Sequence, residues 1–144
     1  MNRRDFVAAL TASAFAAEAS AAHPSAVMGS RVFDWNDFPA KPTSYGSVRS
    51  FCSQPTATLE NLELHVTTLN PGMMPHQPHR HPNEEMVIIR QGTVEALSNG
   101  EWKPAGAGSV IFNASNQLHG LKNVGAGPAV YHVINWKTAA TPKA

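Results

Sequence analysis

Gly72-Met73-Met74-Pro75-His76-Gln77-Pro78-His79-Arg80-His81-Pro82-Asn83-Glu84-Glu85 is the stretch on which the reading of this chain turns, with Met86–Ile89 and Gly92 just after it. His79 and His81 are two residues apart, and side chains two apart on an extended strand project to the same side. Glu85 keeps that parity four residues on, with Pro82-Asn83 expected to bend the chain in between. Two imidazoles and a carboxylate on one face can converge on a single cation where that face looks into a closed barrel. His119, at the start of a later strand, is placed to complete the set. The bland alternative is an ordinary pair of strand histidines, because H-x-H alone is a weak signal.

On both sides of this stretch the pattern is strand upon strand. Leu62, Leu64 and Val66 alternate with Glu63, His65 and Thr67, the period of a half-buried strand. Asn70-Pro71-Gly72 reads as the turn that ends it. Met86–Ile89 is an apolar run closed by Gly92, and Thr93–Leu97 and Glu101–Lys103 flank Asn99-Gly100, a strong type I′ hairpin signal. Val110–Phe112, Gly120–Lys122 and Ala129–Trp136 supply further strands, and no helical period is visible over this region. Short strands with frequent turn signals indicate an all-β barrel or sandwich.

The spacing resembles the cupin superfamily. Its first motif is a glycine, a short spacer, H-x-H, a glutamate and a second glycine, matched by Gly72, His79-x-His81, Glu85 and Gly92 with one extra spacer residue after Gly72. Its second motif is matched by Gly108, His119 and Asn123, while Ala114 and Asn116 stand where a proline and a glycine are usual. The resemblance implies a single-domain jelly-roll β-barrel over 46–137. It also implies a site for one divalent transition metal ion (Mn, Fe, Ni, Co or Zn) on His79, His81, Glu85 and His119. This ligand set does not select among those metals. Single-domain cupins commonly form dimers, so a homodimer is a further expectation.

The neighbouring polar residues carry plainer expectations. Glu84 and Arg80 should point away from the site, and Asn123 should brace its turn. His65 falls on the polar side of its strand and reads as structural or exposed, and His132 is ambiguous. His76, between Pro75 and Pro78, is either a loop histidine or, with Glu85, a candidate catalytic group. Cys52 is the only cysteine, which excludes an intrachain disulfide and favours a small strand residue.

The 144 residues carry a formal net charge of +1 with scattered basic groups, giving no patch for nucleic acid or an anionic membrane surface. At the start, Arg3-Arg4 precede an alanine-rich apolar run from Phe6 to about Ala17, followed by Ala19-Ser20-Ala21-Ala22. This resembles a twin-arginine export signal over residues 1–22, implying a periplasmic or exported protein. The run is too short and too alanine-rich for a stable membrane span. Residues 23–45, with Pro24, Pro39 and Pro42, read as an extended arm with one short strand near Arg31–Trp35, anchored by Phe33, Trp35 and Phe38. Residues 138–144 read as a tail.

A cupin fold hosts many reactions, so function must be argued from the site. Resemblance to the quercetin dioxygenase-like type favours a metal-dependent oxidoreductase acting on a small organic molecule. Metal-assisted hydrolysis, deamination or isomerisation is the second enzyme reading. A periplasmic small-molecule or metal-binding protein without turnover is the rival from another class. A deep barrel mouth lined by aromatics with one or two polar groups would favour a substrate, and a filled barrel with a buried ion a structural site.

Overall fold

The computed structural model describes residues 26–143. The export signal expected over 1–22 lies outside the described residues. The alternating segment Asn61–Leu69 forms the long strand β3, between β2 (Gly46–Gln54) and β9 (Ala129–Lys137), in a sheet ordered β1-β2-β3-β9-β4-β7. The remaining members are β1 (Lys41–Thr43), β4 (Glu84–Gln91) and β7 (Val110–Asn113). A second, three-stranded sheet runs β6-β5-β8, from β5 (Thr93–Ser98), β6 (Glu101–Gly106) and β8 (Gly120–Asn123). Every pairing is antiparallel. The two sheets close face to face into the expected jelly roll. Among the described residues no helix is long and apolar enough to cross a membrane.

Turn chemistry accounts for the connections. Asn99 and Gly100 both have positive φ, 52° and 81°, as the type I′ hairpin between β5 and β6 requires. Gly92, at φ 85°, ends β4 where an added Cβ would stand 2.8 Å from the Ala129 Cα and the Pro128 carbonyl oxygen. No other residue meets both demands.

The core lies inside the barrel, and part of it also walls the cavity described below. Leu69, Val87, Ile89, Val94, Leu121, Ala129, Tyr131 and Val133 pack there as one buried cluster. Tyr131 is 3% exposed and its hydroxyl is hydrogen-bonded to Thr67; burial pushes its pKa well above the usual phenol range.

Two expectations need correction. First, the arm has no strand at Arg31–Trp35. The chain there finds no partner strand and turns into a 3-10 helix at Trp35–Asp37, capped by Asp34, whose carboxylate accepts from Asn36 N at 2.8 Å. Lys41–Thr43, counted with the arm in the sequence, pairs with β2 instead. The aromatic anchor itself is present. Phe33 and Phe38 pack on Phe51 with ring centroids 5.9 and 5.0 Å away. Arg49 lies 4.0 Å over the Trp35 ring and donates to the carbonyls of Trp35 and Phe38.

Second, His65, read as structural or exposed, borders a cavity, because the polar side of β3 faces the lumen. Glu63, His65 and Thr67 line the barrel lumen, while Leu62, Leu64 and Val66 take the outer face of the same sheet. Alternation reports that the two faces differ, and it does not say which one looks inward. His132, paired with Val66 and Ile88, falls on that outer face.

Candidate metal centre

Backbone pairing brings distant parts of the chain to one point. His79 and His119 form an isolated antiparallel bridge, each N–H donating to the other's carbonyl at 3.0 Å. His79 and His81 therefore do not sit on the regular extended strand the spacing suggested. They lie in a loop that joins β4 only at Glu84, because Pro75, Pro78 and Pro82 cannot donate to a ladder. The reciprocal bond to His119 does what a strand was expected to do.

The loop before His119 is tied to the same place. Asn116 N donates to the His81 carbonyl at 2.8 Å, Arg80 Nη1 to the Asn116 carbonyl at 2.9 Å, and Ser115 Oγ to the Pro82 carbonyl at 2.6 Å. Asn116 has φ 58°. It stands at the motif position where glycine is usual, and Asn is the residue that best tolerates this left-handed conformation after glycine. Arg80 is thus outside the site, and Glu84 likewise points away, accepting from Trp136 Nε1 at 3.2 Å. Asn123, 1% exposed, braces its turn as expected, donating to the carbonyls of Leu69 and Gly127 and accepting from Gly125 N.

Three imidazoles meet. One ring nitrogen from each of His79, His81 and His119 lies within 4.8 Å of the others. His81 Nδ1 donates to the Asn83 carbonyl and His119 Nδ1 to the Gln117 carbonyl, each at 2.9 Å. That fixes the tautomer and leaves each Nε2 lone pair free to bind a cation. His119 Nε2 and His79 Nδ1 are buried with no hydrogen-bond partner among the described residues. Such orphaned atoms are costly unless something satisfies them. Burial lowers the pKa of His79, helped by His76, His119 and His81. Its imidazole is thereby kept neutral, the form a metal needs.

Glu85, on β4, borders the three-histidine cluster on its His81 and His119 side and lies outside the group of three. Its carboxylate stands 3.6 Å from His81 Nε2 and 4.0 Å from His119 Nε2. These separations are too long for hydrogen bonds. They suit two atoms that share an ion, which at about 2.1 Å each can be no more than about 4.2 Å apart. Asn113 Nδ2 donates to Glu85 Oε1 at 2.9 Å and orients the carboxylate. The three histidines fit a divalent metal. His76 is exposed, but its ring packs edge-on against His79 at 4.1 Å and borders the lumen.

The cluster opens into a cavity of about 300 Å³ reached by Glu85, His119 and His76. Val87, Ile111, Leu121 and Val133 form its apolar walls, and Glu63 and His65 are on its β3 side. Glu63, His65 and Asn113 were missed as site residues. The alternation on β3 was the only available signal for the first two, and nothing local marks Asn113.

Residues 65–135 match the family described as Cupin_2, cupin domain. The barrel has the cupin jelly-roll fold. No curated protein matches the sequence. Solved cupin structures match the fold. An RmlC-like cupin from Shewanella frigidimarina superposes with TM-score 0.62 at 13% identity, over 77% of this chain and 95% of that one. A predicted oxalate decarboxylase from Thermotoga maritima gives 0.59 at 19%, over 74% and 99%. The polyketide cyclase RemF from Streptomyces resistomycificus gives 0.60 at 17%, over 81% and 89%. At these identities the likeness is one of fold, and the cupin barrel leaves the reaction open.

Proposed function

We propose that this cupin is a divalent-metal-dependent enzyme acting on a small organic molecule, with dioxygenase-type oxidation as its reaction. One observation carries the reading: the cluster of His79, His81 and His119 reaches, through His119 and beside Glu85, an open cavity of about 300 Å³ and is not enclosed in a filled core. A purely structural ion has no need of such space, whereas a substrate does. His79, His81, His119 and Glu85 would hold the ion. When bound, it supplies Lewis acidity and, if redox-active, a route for electrons between dioxygen and substrate.

The chain's own groups do the rest. Asn113 keeps Glu85 turned toward the histidines, and the apolar walls exclude water from the bound molecule. His76, at the edge of the cavity and against His79, is placed to carry protons between the site and solvent. Residues 1–22 are proposed as a twin-arginine signal that delivers the protein to the periplasm. Export of a reporter fused to them, lost on changing Arg3-Arg4 to Lys-Lys, tests this; export unaffected by the change refutes it.

The enzymatic reading is tested on protein isolated in its exported form. Metal is quantified, and oxygen uptake is then screened against small hydroxylated and keto compounds. The expected result is one ion per chain and uptake that disappears in His79→Ala. Full metal loading with turnover but no oxygen uptake would move the reaction to hydrolysis or isomerisation. Absence of metal would end the proposal.

A further inference from the structure

β3 puts polar side chains where a barrel strand ordinarily packs hydrocarbon. Glu63 and His65 face the lumen, with His65 Nδ1 donating to Glu63 Oε1 at 3.1 Å. The His65 side chain is 21% exposed, and its Nε2 has no protein hydrogen bond among the described residues. A carboxylate-braced imidazole with one nitrogen left over is the arrangement that lets a histidine accept a proton.

Register locates this pair relative to the metal centre. Glu63 pairs with Asn135, Asn135 with Glu85, and Glu85 with Asn113, so these four occupy one row across β3, β9, β4 and β7. Neighbouring strands lie about 4.8 Å apart, which sets the Glu63 and Glu85 backbones about 10 Å from each other. His65 belongs to the adjacent row with Val133, Val87 and Ile111, all apolar. Between the two polar stations of the lumen stand Asn135 in the Glu63 row and Val133 and Val87 in the His65 row.

That layout describes a ligand. Three neutral imidazoles and one carboxylate would leave a divalent ion with one positive charge, which favours an anionic oxygen. The pair Val133 and Val87 between the stations fits the face of a ring, and the cavity, at the lower end of small-molecule sites, has room for one substituted ring. At the far station an imidazole nitrogen and a carboxylate both call for a hydroxyl.

We propose that Glu63 and His65 bind the hydroxyl of a small aromatic or enolic acid whose anionic oxygen is directed at the histidine cluster, and that His65 accepts that hydroxyl's proton. The O–H bond breaks, its electron pair stays on oxygen, and the proton goes to His65 Nε2. Glu63, already bonded to Nδ1–H, stabilises the imidazolium. This inference rests on the metal-centre reading and adds to it a substrate class and a second acid–base group.

The test compares two probes that differ only in the hydroxyl, 4-hydroxybenzoate and benzoate, bound to the cobalt-loaded full-length protein. The parent is expected to prefer 4-hydroxybenzoate about tenfold. Glu63→Gln and His65→Gln should each bring the two affinities within about twofold, leaving benzoate affinity and the cobalt spectrum unchanged. The variants are read separately, so a fold defect in one, visible as a lost cobalt spectrum, leaves the other decisive. A parent that binds the probes equally or binds neither overturns the inference, as does a preference that survives both substitutions. Protein that takes up no cobalt overturns the metal reading itself, a distinguishable result.

Discussion

On β3, Glu63, His65 and Thr67 point into the lumen, while Leu62, Leu64 and Val66 point out. The same inversion runs across the sheet toward the open end, where Glu85 and Asn113 are inside and Met86 and Phe112 outside. At the closed end the inner face returns to hydrocarbon, with Ile89, Tyr131 and Leu69. One strand thus changes use along its length. Its closed half builds the core, its open half builds a site, and its outer face is left to be covered, in part by the aromatic arm. Luminal polar groups give up burial energy that apolar residues would have supplied, the exchange expected where function competes with stability.

The largest effect should come from breaking the closed half. Ile89 is 1% exposed within the core cluster, and Ile89→Ala is expected to destabilise the fold by about 2–5 kcal/mol, read by urea denaturation. In the open half the same sheet should respond in metal affinity instead. Asn113→Ala removes the hydrogen bond that orients Glu85 and should weaken metal binding about 10–100-fold with a smaller change in unfolding midpoint. Competition with a coloured chelator checks this. Equal affinity would mean that Glu85 needs no orienting, or is no ligand.

The outer face should respond more weakly. Arg49→Ala removes the bonds to the Trp35 and Phe38 carbonyls and the contact with the Trp35 ring. A loss of about 1–2 kcal/mol is expected, with faster hydrogen exchange confined to the arm and β2 and metal affinity retained. The smallest effect concerns His132, whose pKa is lowered from its ordinary 6.5 by burial and then by Arg90. Because the folded form resists the proton more than the unfolded chain does, its contribution is complete above that ordinary value. It is lost as pH falls below it. His132→Gln should therefore flatten the drop in melting temperature between about pH 7 and about pH 5; an unchanged slope would assign that drop to other groups.

The sequence was most legible where chemistry needs fixed spacing. The cluster of His79, His81 and His119 could be named from the intervals of the motif, and Gly92 and Asn99-Gly100 from the backbone conformations they alone adopt readily. What escaped was whatever depends on partners far along the chain. The bridge between His79 and His119 replaces a strand that His79-Arg80-His81 seemed to promise, and no local pattern encodes it. Trp35 carried strand propensity but had no strand to join. His65 read as structural or exposed because alternation tells the polar side of a strand from the apolar one and not which of them borders a cavity. Asn116 shows the reverse case: a departure from the motif at a glycine position that the structure accommodates with the same sign of φ.

The central claim is that side chains from two distant segments hold one ion. An anomalous-difference map at the cobalt edge, from crystals of cobalt-loaded protein, tests it most directly. The account predicts a single strong peak at about bonding distance, roughly 2.0–2.2 Å, from nitrogens of His79, His81 and His119 and from a Glu85 oxygen. A peak elsewhere, or none in fully occupied crystals, would contradict it.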